Sequence, residues 1–155
     1  MRKLGFFELD KQEFKDENLY KRLWNCSHYS YNSGWFRFEG FADLLEWNKD
    51  KIVTKLKWYN ENNKTLAIWG AAARAEAFID LSCKNKCNIQ YIVDKDVSKQ
   101  GEEICGMKIQ KFEDISNLVD VVLVLRSGYY EEIRSTVKKV NAQIEVWDFE
   151  KYMLQ

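Results

Sequence analysis

Three residues of this 155-residue chain combine type and spacing in a way that suits phosphate and sugar chemistry: Gly70, Arg74 and Asp94. Gly70 closes the run Thr65-Leu66-Ala67-Ile68-Trp69 and opens the alanine-rich segment 71–78, the pattern of a strand that breaks at a glycine into a helix. Such a junction aims backbone N–H groups and the positive end of a helix past the strand, toward an anion. The backbones of Ala71 and Ala73 become donors to that anion, and Arg74, in the first helical turn, reaches back to it. Asp94 ends a second apolar run, Ile89-Gln90-Tyr91-Ile92-Val93, where nucleotide-binding folds set an acid against a ribose. A third run ends in Leu125-Arg126-Ser127-Gly128. Arg126 and Ser127 there are donors for a phosphate or hydroxyl at the carboxyl end of a strand, and Ser127 reads equally well as a helix N-cap.

The dinucleotide fingerprint G-x-G-x-x-G falls on Gly70, Ala72 and Ala75. The turn glycine is present, but the Cβ of Ala72 crowds a diphosphate lying flat on the turn. NAD in its usual pose is therefore disfavoured. The charge of Asp94 repels a 2′-phosphate, so NADP is disfavoured further. A phosphate slightly further out remains compatible, and no cofactor is assigned. A plain reading of the same residues, a tightly packed helix start followed by a charged turn, stays open.

Two further residues are candidates for catalysis, His28 and Tyr129, and neither has a placed partner. His28 lies among Trp24, Tyr29, Tyr31, Trp35 and Phe36. Aromatic walls with one histidine suit a stacked ring and a general base, but they equally suit a core or a protein interface. Cys83 and Cys87 are spaced to share a helix face; with one histidine in the chain no zinc set is complete, and no metal is expected. Cys26, Cys83, Cys87 and Cys105 are read as reduced thiols.

Composition narrows the classes. The 24 basic residues equal the 24 acidic ones, which argues against gripping nucleic acid through its phosphates. No apolar run approaches the roughly 20 residues of a membrane helix, and no signal-peptide core forms behind Arg2 and Lys3. A cytoplasmic protein is expected. At 46% hydrophobic and 15% aromatic, the chain has the means for a packed core.

The elements that must position these residues divide the chain into two regions. Residues 1–62 read as a helical, aromatic-rich extension, with a helix over 10–24, a loop over 27–34 and a long helix over 42–60. Phe41, Leu45, Ile52, Leu56 and Tyr59 form the stripe of that long helix, widened by Leu44, Trp47 and Val53. Residues 63–155 alternate strands, at 66–69, 89–93, 119–125 and 144–147, with helices at 72–83 and 130–140. A turn-and-strand excursion at 99–109 and a helical turn at 112–115 fall between the second and third strands. Short, continuously apolar strands alternating with helices predict an α/β, Rossmann-like three-layer domain with a short, mostly parallel sheet.

Ile68-Trp69-Gly70-Ala71-Ala72-Ala73-Arg74, Tyr91-Ile92-Val93-Asp94, Lys99-Gln100-Gly101, Gly106-Met107-Lys108-Ile109 and the run 121–125 with Glu132-Ile133 agree in order with one family. On these pieces, segment 65–147 resembles the C-terminal Rossmann-like domain of nucleotide-sugar C-methyltransferases. More distantly, it is similar to the nucleotide-sugar-binding domain of bacterial sugar acetyltransferases. The resemblance implies a role in nucleotide-sugar metabolism and surface-polysaccharide assembly. The S-adenosylmethionine and zinc domains of those methyltransferases correspond to nothing in this sequence, so no catalytic residue is carried over. The expectation is a module that binds a nucleotide or nucleotide-sugar through Gly70, Ala71, Ala73, Arg74, Asp94, Arg126 and Ser127. The alternatives are a ligand-free scaffold serving as a protein-interaction or homodimer unit, and a stand-alone sugar-modifying enzyme using His28 or Tyr129.

Overall fold

The computed structural model describes residues 34–153, with side chains from residue 41 onward. The helix expected over 10–24, Cys26, and His28 with its aromatic loop lie outside the described residues. The chain divides into two compact units, Met1–Asp43 and Leu44–Gln155. The second contains the whole sheet and is described by itself. Among the described residues, no helix is long and apolar enough to cross a membrane.

Six strands form one sheet: β1 (Leu66–Trp69), β2 (Tyr91–Val93), β3 (Glu103–Ile104), β4 (Met107–Gln110), β5 (Val121–Val124) and β6 (Glu145–Asp148). Their order is β3-β4-β2-β1-β5-β6, and every neighbouring pair is parallel except β3 with β4. In β1, Ile68 lies opposite Ile92 on one side and Leu123 on the other. The helices are α1 (Gly34–Trp47), α2 (Lys49–Glu61), α3 (Ala73–Lys84), α4 (Phe112–Ile115), α5 (Tyr130–Val140) and α6 (Phe149–Met153), with a 3₁₀ turn at Ser127–Tyr129. This is the Rossmann-like α/β arrangement. From β1 the chain first builds outward through β2 and β4, then returns to the other side of β1 at β5. Strand order therefore reverses about β1, and the crevice beyond its carboxyl end is where open α/β sheets take ligands.

Both faces of the sheet are covered, which is why the central strands are apolar at every position. Residues of one parity, Ala67 in β1, Val93 in β2, Val122 and Val124 in β5, pack with Phe112 and Ile115 of α4 and Ile133 and Val137 of α5. On the opposite face a chain of ring contacts links three helices to β6. Tyr59 of α2 meets Trp147, Trp147 meets Phe149 of α6, and Phe149 meets Phe78 of α3, with centroids 5.9, 5.4 and 4.9 Å apart. The buried face of α2, Ile52, Leu56 and Tyr59, follows the expected helical spacing. Trp47 is exposed, outside that stripe.

Two expectations need correcting. The single long helix is two, because Asn48 (φ −106°, ψ 13°) steps out of helical geometry. Its side-chain amide donates to Leu44 O at 2.9 Å, where its own backbone N–H also points, the local competition through which asparagine disfavours helix interiors. The sheet has six strands, where four and an excursion were expected. In β4 only Ile109 is buried, so the segment shows no apolar run, yet it pairs with β2 as a full parallel neighbour. Cys105 and Gly106 turn β3 into β4 with φ of 51° and 74°, the geometry of a two-residue hairpin that needs positive φ at both positions.

Candidate functional site

The carboxyl ends of β1, β2 and β5 meet at Gly70. Its φ of +107° is closed to ordinary L residues, and its N–H donates to Val93 O at 2.8 Å, which ties the corner to β2. The next amide, Ala71, was expected to donate to a ligand anion; it donates instead to Asp94 Oδ2 at 2.8 Å, because the carboxylate at the end of β2 reaches the turn first. Asp94 Oδ1 accepts from the Asp96 amide at 2.9 Å, so both carboxylate oxygens are fixed by backbone. Lys99 completes the corner, with Nζ 3.3 Å from Ala71 O and 3.6 Å from Asp94 Oδ2. Gly70, Ala71 and Asp94, chosen from sequence as separate pieces, thus form one hydrogen-bonded unit. Beyond it α3 starts without a side-chain cap, and the amides of Ala72 and Ala73 have no partner among the described residues.

Arg74 is placed differently from the expectation. Its side chain is buried, and Nη1 donates to Leu125 O at 2.8 Å and to Glu150 Oε1. Reaching back to a phosphate would require taking this guanidinium from a buried carboxylate. The pair instead fastens α3 to the end of β5 and the start of α6. Glu150 Oε2 also accepts from the Ser127 amide at 2.7 Å, and Ser127 Oγ donates to Asp148 Oδ1. Ser127 therefore opens the 3₁₀ turn held by acids from the end of β6 and the start of α6. Its hydroxyl is spent on Asp148, and it does not cap the following helix through its side chain.

Arg126 lies between these groups and the glycine corner along the sheet edge. It is half-buried at the end of β5; its carbonyl accepts from the Tyr129 amide at 3.1 Å, and its side chain has no hydrogen-bond or ion-pair partner among the described residues. Tyr129, half exposed, sits on the 3₁₀ turn.

A family model described as the C-methyltransferase C-terminal domain matches residues 32–147. The chain belongs to that family. The match runs from α1 through β6, so the corner, Asp94 and Arg126 all fall inside this C-methyltransferase C-terminal domain. Among curated proteins, none matches the chain. Of solved structures, UDP-D-quinovosamine 4-dehydrogenase from Vibrio fischeri is 15% identical, with a TM-score of 0.42, over 57% of this chain and 82% of that one. RSP, a Rex-family repressor, is 14% identical with a TM-score of 0.44, over 67% of this chain and 63% of that one.

Sequence reasoning missed four groups at or after the carboxyl ends of the strands: Glu150, Asp148, Lys99 and the pair formed by Lys95 with Glu132 at 2.8 Å. The signal available for the first two was their position, since both follow the last apolar strand at its carboxyl end. Nothing local marks Lys95 and Lys99 among the charges of 94–99, because their meaning depends on which strands flank β1. Cys83 and Cys87 do not share a helix face. The helix ends at Lys84, Lys86 turns with φ 57°, and Cys87 is buried beyond it while Cys83 is exposed.

Proposed function

We propose that this chain binds a nucleotide or nucleotide-sugar at the carboxyl ends of β1, β2 and β5, as the accessory module of a sugar-modifying reaction. The observation that carries the reading is the bond from the Ala71 amide to Asp94. It holds an acid beside the glycine corner at the end of β2, the strand position from which an acid bonds a ribose hydroxyl in such folds. Arg126 supplies positive charge at the neighbouring strand end. Ala72, extended and exposed, keeps its Cβ on the outer surface of the turn, which works against a dinucleotide lying flat there. The reading assigns no catalytic residue to this chain and no cofactor; the sugar chemistry and the assembly of surface polysaccharide follow from the family resemblance, and the cytoplasmic address from the N-terminal sequence, as parts of the same proposal.

A second reading has its own observation. The corner is partly filled by the protein itself, with Asp94 on the first amide and Glu150 on Arg74. A ligand-free scaffold used for protein contact or self-association would look the same.

Thermal denaturation with UDP-, dTDP-, GDP- and CMP-sugars, NAD and S-adenosylmethionine separates the two. A specific nucleotide at 100 times its Kd adds about 2.7 kcal/mol. That raises the Tm by at least about 5 °C. A flat panel favours the scaffold.

A further inference from the structure

We propose that Lys95 is the residue that takes up the phosphate of a nucleoside diphosphate in this crevice, and that Glu132 occupies it until the ligand arrives. The inference deepens the nucleotide reading and rests on it.

The placement follows from topology. Lys95 stands in the turn after β2, and Glu132 in the first turn of α5, which follows β5. β2 and β5 are the two strands that flank β1 in the sheet. An ion pair between those segments, Lys95 Nζ to Glu132 Oε1 at 2.8 Å, therefore crosses the end of β1, where Gly70 turns the chain. It links the segments that follow the two strands flanking β1, at the strand reversal.

Two other cations are less able to serve: Arg74 is buried against Glu150, and Lys99 is drawn to Ala71 O and Asp94. Arg126, half-buried at the end of β5, adds positive charge but holds no anion to exchange. Lys95 and Glu132 are well exposed, their side chains 68% and 60% accessible, so the pair is screened and easily opened. A phosphate offers the ammonium several charged oxygens where the carboxylate offers one at bonding distance, and such charge-assisted bonds are the stronger kind. Exchange of one anion for another keeps Lys95 paired throughout. A nucleoside without phosphate gains nothing from the exchange, so the site discriminates between diphosphate and nucleoside.

The test is calorimetric titration of the whole chain with UDP and dTDP, and with uridine and thymidine as controls. Glu132→Gln removes the competing carboxylate and should tighten diphosphate binding about two- to fivefold. Lys95→Met should weaken it about five- to tenfold, and Lys95→Arg should restore it. Nucleoside binding should not change in any variant, and melting temperatures should show all of them folded. Diphosphate affinity that is equal in wild type, Glu132→Gln and Lys95→Met overturns this inference and leaves the nucleotide reading standing. No binding of any nucleotide to wild type overturns both.

Discussion

The Arg74–Glu150 pair is the most exacting place to test how this crevice is built. The two side chains are only 10% and 5% accessible, and together they tie α3, the end of β5 and α6. Glu150→Gln removes the charge while keeping an amide oxygen that the Ser127 N–H can still use. The Arg74 guanidinium then sits buried without its carboxylate. Breaking a buried pair from one side costs about 3–5 kcal/mol. In a domain of this size that lowers the Tm by roughly 10 °C. Arg74→Met combined with Glu150→Met removes both charges from the interior and should recover most of the loss, because the desolvation penalty disappears with the attraction. Urea denaturation of wild type, Arg74→Met, Glu150→Met and the double variant measures the coupling directly. A Glu150→Gln protein within about 0.5 kcal/mol of wild type, or a double variant no better than the singles, would refute the view that Arg74 is a structural tie.

Two further outcomes are expected. Gly70→Ala should lower stability by about 1–3 kcal/mol in urea denaturation, although its Cβ would meet nothing within 4 Å, because the cost lies in the φ of +107° and not in space. Tyr59 Oη donates to Glu145 Oε1 at 2.5 Å; burial, and then that carboxylate, push the phenol well above its ordinary range. A group whose native pKa is raised contributes stability that is present below the unfolded pKa, about 10, and lost as pH climbs above it. Wild type should therefore lose stability relative to Tyr59→Phe between pH 10 and 11 by up to about 1.4 kcal/mol per pH unit. Lys55, lowered chiefly by burial, titrates in both proteins and drops out of the difference. Parallel stability curves for the two proteins over that range would exclude the assigned role of Tyr59.

What was legible in the sequence was whatever local pattern dictates. β1 falls at 66–69 and α5 at 130–140, as read from apolar runs and spacing, because a strand buried on both faces must be apolar throughout and a half-buried helix must be periodic. β4 escaped because only Ile109 of its four residues is buried. The break at Asn48 escaped because a stripe of apolar residues does not register one residue bonding its own carbonyl neighbour. At the site, Gly70 and Asp94 were readable since each ends a recognisable run. The partner of Arg74 was not, since Glu150 lies 76 positions away and no local rule links a helix start to the second residue after the last strand.

Asp94 and Arg74 are both engaged by the protein, yet engagement means different things for the two. A carboxylate has about four lone-pair sites, and Asp94 gives one of Oδ2 to the Ala71 amide and one of Oδ1 to the Asp96 amide. Those bonds orient the group; with Lys99 Nζ 3.6 Å from Oδ2 and the side chain 11% accessible, the remaining acceptor capacity for a hydroxyl lies chiefly on Oδ1. A guanidinium facing a buried carboxylate has its charge compensated, and a phosphate placed beside it would meet the carboxylate's repulsion as well as the arginine's attraction. On the proposed nucleotide reading, this difference sets the polarity of the ligand: its hydroxyl-bearing sugar would lie toward Asp94, and its phosphates toward Arg126 and the exchangeable Lys95.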